Sequence, residues 1–540
     1  MKKKLVTLAS LFLALTFVLT GCGTKTGNET AKKVLRTNNS SEPGSLDPAL
    51  AQGTHESWVL QHIFQGLMDY AEDGTIVNGV AESYELADDN VTYTFKLRKD
   101  AKWSNGDPVT AEDFEFAWKR ALDPELAADY AYQLYYLKGG QAYNEGKGSK
   151  DDVGVKAIDA QTLEVVLEVP TGYFLELTAF YTYYPVNKKV VEANADWAKD
   201  AKSHVSNGAF KLTTWEHNSK IVIEKNTSFF DAAKVKLDAI EFAILEDENT
   251  AWQKYSGGEF DFLATVPAAV TNQLLTDKSA EITIGGQVGT YYYNLNSKEA
   301  PFDNVKVRKA LALSIDRQTI VSKITMGGQI PAEGVTPFGM VDENGDEYRD
   351  GVGKLVTYDV TEAKKLFTEG LAEAGMTLEQ FNAKNFVLLY NTSEAHQKIA
   401  QAVQEMWRTS LGIEIKLENV DFQVKLDREK AGDYDISRAG WIGDYMDPMT
   451  FLDLWYSTSS FNDAKYNNPE YDALVDEAKN SVDPKVRFNA MREAEAILMA
   501  DMPVIPVYFY TQPYVQKTYV KGVYKPLINY PVLKYADIQK

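Results

Sequence analysis

Thirteen residues, Ser437 to Met449, read Ser-Arg-Ala-Gly-Trp-Ile-Gly-Asp-Tyr-Met-Asp-Pro-Met. They combine two glycines, two aromatics, one arginine and two aspartates. Such a set suits recognition better than bond breaking. It offers a flat apolar wall in Trp441, a fixed negative charge in Asp444 and bare backbone groups beside the glycines. Asp435 and Ile436 read as the end of a strand, and Gly440, Gly443 and Pro448 interrupt any regular element after it. The expectation is a loop that carries Trp441, Asp444 and Tyr445. The other reading of the same residues is a tight turn, with Trp441 tucked into the core and both aspartates solvated.

Covalent and metal chemistry leave no comparable trace. The five histidines are His55, His62, His204, His217 and His396. His55 precedes Glu56, but Val59 stands where a zinc-binding His-Glu-x-x-His motif needs its second histidine. No Gly-x-Ser-x-Gly elbow occurs, and Gly146-Lys147-Gly148 lacks the hydroxyl and the first glycine of a phosphate loop. Asp342-Glu-Asn-Gly-Asp346 begins like a calcium loop, yet Glu347 holds the sixth position and Gly353 the twelfth. It reads as a solvated acidic loop. Neither a catalytic set nor a cofactor or metal site is expected.

Alternating strands and helices must position the recognition stretch. Val91, Tyr93, Phe95 and Leu97 alternate with polar residues, as do Leu163, Val165 and Leu167, giving half-buried strands. Thr110 caps a helix whose Asp113 sits at the reciprocal position, with Phe114, Ala117, Trp118 and Ala121 on one face. Further strands are expected at 221–224, 239–245, 290–295, 386–390, 413–417 and 504–510. Helices are expected over 307–320, 395–411 and most of 469–499. Interleaving of this kind points to α/β lobes, and 540 residues are enough for more than one.

The net charge is −21, which disfavours nucleic acid as a partner because that binding needs a basic footprint. Met1-Lys-Lys-Lys4, the apolar run Leu5 to Leu19 and Leu19-Thr-Gly-Cys22 have the form of a secretory signal. The run is short for a membrane span. Cys22 is the single cysteine and stands at the cleavage point of a bacterial lipobox, where it would take a diacylglycerol thioether and an acyl chain such as palmitate. Losing residues 1–21, with three lysines and no acids, would take the charge from −21 to −24. Gly23 to Lys33 reads as a flexible tether.

Several stretches, in order, resemble one family. They are Glu42-Pro-Gly-Ser-Leu-Asp-Pro48, Phe64-Gln-Gly-Leu67, Ala101-Lys-Trp-Ser-Asn-Gly-Asp-Pro-Val-Thr-Ala-Glu-Asp-Phe114, Gly289-Thr-Tyr-Tyr-Tyr293, Arg308-Lys-Ala-Leu311, Tyr390-Asn-Thr-Ser-Glu-Ala-His396, the 437–449 stretch and Pro503-Val-Ile-Pro-Val-Tyr508. Together they are similar to the peptide-binding lipoproteins of ABC importers, the OppA-like branch of the family-5 extracellular solute-binding proteins. The resemblance implies an α/β, two-lobed periplasmic-binding-protein-like fold with an extra third domain, the ligand enclosed between the lobes. It implies a signal peptide at 1–21, a tether at 22–33, lobe I at 34–64, 189–288 and 511–540, the extra domain at 65–188 and lobe II at 289–510. It also implies a monomer that is not an enzyme, anchored by lipid outside the cytoplasm. Its partners would be oligopeptides and the permease of an ABC importer with cytoplasmic ATPases.

Family roles fall on particular residues here. Asp444 would take a peptide's ammonium, or else serve as a capping aspartate. Gly440, Trp441 and Ile442 would offer a strand edge, with Trp441 either walling a pocket or packing in the core. Gly53 and Thr54 would face them from lobe I, or form a solvated loop. Tyr130, Tyr291 and Tyr293 would border the cleft, the last two being equally compatible with a core stripe. Arg438 and His396 would be positive groups near the peptide's carboxyl end, unless Arg438 pairs with a structural aspartate and His396 merely starts a helix. Three positions depart from the family pattern: Gln52 replaces an acid, Phe422 a tryptophan and Glu429 an arginine that can meet the carboxylate. A signalling-peptide receptor, or a nickel, haem or sugar binder on the same scaffold, stays open, as does an extracellular hydrolase or adhesin.

Overall fold

The computed structural model describes residues 32–540. The signal sequence, Cys22 and most of the tether lie outside the described residues. Residues 33–540 form one compact unit with two lobes built on mixed α/β elements.

The first lobe begins with a four-stranded sheet in the order Val34–Asn38, Ala239–Ala243, Lys220–Lys225 and Phe210–Glu216. Its first pair is parallel and the others are antiparallel. An antiparallel sheet of Ala81–Leu86, Thr92–Leu97, Thr162–Val166 and Val155–Asp159 comes from the chain between those strands. Its inner face is the alternation expected from sequence, with Tyr93, Phe95, Leu97, Leu163 and Val165 buried. The helix Ala111–Ala121 lies against this sheet and opens with the expected capping box. Trp118 on its inner face donates to the Tyr183 carbonyl at 2.8 Å.

The second lobe is organised on a seven-stranded mixed sheet. Two long antiparallel strands, Ile282–Leu295 and Val504–Gln516, form its backbone. One end of this ribbon pairs with Phe262–Leu263 and the other with Ile436–Ile442. The ribbon's register breaks between Gly286 and Thr290 and again between Tyr291 and Tyr292. The lobe boundaries expected at 289 and 510 therefore fall inside continuous strands.

Four local expectations need correction. The strand expected at 290–295 starts eight residues earlier, at Ile282. The helix expected over 307–320 stops at Leu313. Asp316 there caps a new turn, and the Arg317 guanidinium takes the Ala312 and Ile315 carbonyls that a continuing helix would occupy, together with the Pro506 carbonyl of the neighbouring strand. The strand expected at 413–417 lies at Lys416–Val420. Finally, the strand expected to end at Ile436 begins there and runs to Ile442, so Trp441 sits on a strand and not in a loop. Asp435 marks its head by accepting the Val387 N–H at 2.9 Å.

Candidate functional site

The strand Ile436–Ile442 is paired along one edge with Gly289–Leu295. On its other edge only Ile436 and Ser437 pair, with Leu388 and Leu389. From Arg438 onward that edge faces a cavity of about 380 Å³. The walls include Gln52 to His55 and Tyr530 from the first lobe, Tyr130 and Tyr181, and from the second lobe Asn391 to His396, Lys398, Ile399, Phe422, Phe461, Tyr508 and Tyr510 to Gln512. The size falls within the usual range for ligand cavities, roughly 300–1,000 Å³.

Gly440 is a glycine because of close approach. A Cβ there would run into the Tyr510 hydroxyl, which accepts a hydrogen bond from Arg438 Nη2 at 2.8 Å. The small residue lets the strand edge and this polar pair share one layer.

Asp444 follows the strand and is 6% exposed. One oxygen accepts from Gln133 Nε2 at 2.9 Å, and its own N–H donates to Thr450 Oγ1 at 3.0 Å. Among the described residues it has no ion-pair partner. Burial, and then the charge of Asp453, hold its pKa well above the ordinary aspartate value, against hydrogen bonds from Gln133 and Tyr130. Asp444 is therefore a buried acid whose protonated form is favoured and which has no cation beside it among the described residues. Beside it Trp441 packs between Tyr130, at 6.1 Å and stacked, and Phe461, at 5.1 Å edge-on. Trp441 and Tyr130 thus both wall the cavity, brought together from opposite sides of it.

Arg438 has no carboxylate partner among the described residues, so the structural Arg–Asp pair is not formed. Its guanidinium lies 4.6 Å from the Tyr291 ring centre, reaches Asn391 Oδ1 at 3.4 Å, and leaves Nε buried without a partner. His396 borders the cavity in the first turn of the helix Glu394–Leu411, and its Nδ1 is also unpartnered. Burial pushes its pKa well below the usual histidine value, and Arg438 and Lys425 push it further. The expectation of a positive group at His396 is therefore corrected: the ring is neutral beside two cations.

Tyr291 and Tyr293 are corrected as well. Both are fully buried and neither borders the cavity. They occupy the face of the strand beneath Arg438 and against Trp407, and Tyr291 acts as the platform for the guanidinium. Tyr292, in the opposite phase of the same alternation, is the tyrosine that borders the cavity. Gly53 and Thr54 do border it, but as a helix start and not an extended edge. The Gly53 carbonyl accepts from the Ser57 N–H, while the Glu56 carboxylate accepts from the Gly44 N–H. Phe422 begins the helix Phe422–Ala431 and meets His55 edge-on at 5.1 Å. Glu429, on that helix, forms a buried ion pair with Lys425 at 2.5 Å.

Sequence reasoning missed Gln133, Tyr292, Phe461 and Tyr510. Tyr292 was accessible through the strand's period of two. Gln133 had no local signal, since its partner Asp444 lies 311 residues away.

Contacts also cross the cavity. Besides Gln133 to Asp444, the Met446 N–H donates to Glu176, Ser393 to Glu248 at 2.7 Å, Asn249 to Glu394, and Lys430 pairs with Asp129. An open strand edge and an uncompensated acid enclosed between two bridged lobes define a ligand-enclosing binding protein.

The chain belongs to the bacterial extracellular solute-binding proteins, family 5, whose model matches residues 75–463. It is 41% identical over 539 residues to the oligopeptide-binding protein OppA of Bacillus subtilis, covering 97% of each chain. It superposes on Haemophilus influenzae OppA in complex with RPPGFSPFR with a TM-score of 0.88 at 36% identity, covering 95% of this chain and 100% of that one. Against the unliganded open form of MppA, a periplasmic murein tripeptide-binding protein, the identity is again 36%, with 94% and 98% covered, but the TM-score is 0.62. Equal identity with unequal superposition reflects lobe arrangement, and the bridging contacts agree that the lobes here are closed.

Proposed function

We propose that this chain is a non-enzymatic, extracytoplasmic receptor that captures oligopeptides and delivers them to an ABC-type importer. The observation that carries the reading is Asp444: a buried acid without a cation, at the end of an open strand edge, inside a closed cavity. A peptide's ammonium completes that site with a charge-assisted hydrogen bond. Its backbone adds beside residues 438–442 as an extra strand, which reads features every peptide shares. Arg438 lies four residues, about 13 Å, from Ile442 along the strand, so it stands toward the far end of a short bound peptide.

The division into lobe I, extra domain and lobe II is supported by three separate sheets, that of Val34–Asn38, that of Ala81–Leu86 and that built on the ribbon of Ile282–Leu295 with Val504–Gln516. Anchoring is assigned to Cys22, lipidated after removal of residues 1–21, with the chain acting as a monomer. Native mass spectrometry of the protein purified from membranes tests these points together. A series of co-purified peptide masses, on a monomer carrying a diacylglycerol adduct at Cys22, supports them. A protein that neither carries nor takes up peptides would refute the receptor assignment.

A further inference from the structure

We propose that peptides longer than about five residues leave the main cavity by their carboxyl-terminal part and lay it in an outer groove. The groove lies between the helices Ala268–Thr276 and Glu394–Leu411 and the π-helical turn Ile320–Thr325. This rests on the peptide reading above and adds to it a second binding site and a longer class of ligand.

The strand edge supplies the reason to turn. Its open part runs from Ile442 back to Arg438, and at Ser437 the same edge is taken by Leu389. A peptide added beside it is therefore in line with the strand Val387–Asn391. At ~3.4 Å per residue it runs out of edge after about four or five residues. With its ammonium at Asp444, the end that arrives there is the carboxyl end. In front of it stands the start of the helix Glu394–Leu411, whose Ser393 cap and first turns border the cavity as far as Ile399.

One face of that helix leads outward. Lys398 borders the cavity, and Gln401 and Ala402, three and four residues on, share its face. These three residues line a second cavity of about 420 Å³. Ala268, Ile324 and Lys398 border both cavities, so a single layer of side chains separates them. Lys398 is exposed and paired with Glu394, one turn back, at 2.5 Å. An exposed pair of this kind is weak, so the side chain swings aside at small cost. Beyond it the groove is floored by Ala269, Met326 and Ala402. Short and apolar side chains there accept an extended chain without selecting its sequence. Lys323 stands at the rim, exposed and without an acid partner among the described residues. Continuity with the cavity and this free cation fit one occupant, the tail of the captured peptide with its terminal carboxylate on Lys323.

Titration calorimetry on the whole protein tests this. The probes are free-amine tetra-alanine and an octapeptide that begins with the same four alanines and continues with serine and alanine in alternation. Ala269→Trp fills the groove and alters no wall of the main cavity. It should weaken the octapeptide by about tenfold, within the range for a steric clash, and leave tetra-alanine unchanged. Lys323→Glu should weaken the octapeptide by about threefold, the size of an exposed charge pair, and its carboxamide form not at all. A benzophenone on the eighth residue locates the tail directly, since its photo-cross-links should map to residues 323–326 or 401–402. A melting curve of each ligand-free variant confirms folding. An octapeptide held equally by wild type and Ala269→Trp overturns the proposal, as do cross-links confined to other segments. Binding of tetra-alanine without the octapeptide overturns it too. Equal losses for acid and amide in Lys323→Glu would remove the lysine from it. If neither peptide binds wild type, the peptide reading itself falls and this proposal with it.

Discussion

Replacing Asp444 by asparagine removes the charge at the amine site and keeps its shape. The asparagine oxygen still accepts from Gln133, so the loss isolates the ion pair. Removing one partner of a buried charge pair costs about 2–5 kcal/mol in binding. The wild-type advantage is smaller than that pair in acid. Burial favours the protonated form of Asp444, since it holds the pKa well above the ordinary value. Ionising it to receive an ammonium costs about 1.4 kcal/mol for each pH unit between the working pH and that raised pKa. The bound ammonium lowers the pKa again, so binding releases a proton between the two values. Affinity for a free-amine peptide should accordingly rise with pH, by up to about tenfold per unit, until the peptide's own amine begins to titrate near pH 8. Calorimetry in two buffers of different ionisation enthalpy, with free and N-acetylated versions of one peptide, reads affinity and proton release together. An equal loss for both peptides in Asp444→Asn, or a binding heat independent of buffer, would refute the reasoning.

The same raised pKa has a consequence for stability. A carboxyl whose folded pKa lies above its unfolded value destabilises as pH rises past that unfolded value, near 3.9. Ligand-free Asp444→Asn should therefore melt higher than wild type at neutral pH, and a lower melting point would contradict the assignment. Peptide binding should quench or shift tryptophan emission through the Tyr130–Trp441–Phe461 stack, and Trp441→Phe should remove most of that change. Gly440→Ala drives a methyl into the Tyr510 hydroxyl and should cost about 1–3 kcal/mol, read by urea unfolding. Arg349→Met leaves Glu495 buried while it accepts only the Val335 and Thr336 N–H groups, and should cost about 3–5 kcal/mol in the same assay.

Local rules were sufficient where a segment's environment repeats along the chain. The alternation at Tyr93, Phe95 and Leu97, and the Thr110–Asp113 capping box, came directly from spacing because each depends on neighbours a few residues away. The family resemblance placed Asp444, Trp441 and Tyr130 at the cavity. It went astray at Tyr291 and Tyr293, where the choice between two faces of a strand depends on what packs against each. It also went astray at His396, whose charge is decided by Arg438 and Lys425, which reach it from other segments. Local turn rules alone break the strand Ile436–Ile442 at its glycine, whereas the resemblance makes Gly440 to Ile442 a strand edge; the structure has the strand, because Gly440 answers to Tyr510, seventy residues on, and not to a turn.

The ribbon of Ile282–Leu295 and Val504–Gln516 ties both lobes to one pair of strands, with its register break at Gly286 beside the cavity. Any opening of the two lobes must bend or twist this one pair of strands. The dissociation rate acquires a ceiling set by the ribbon and shared by every cargo, whatever its side chains. A machine that grips both lobes and turns the ribbon would empty the protein without having to recognise what it carried.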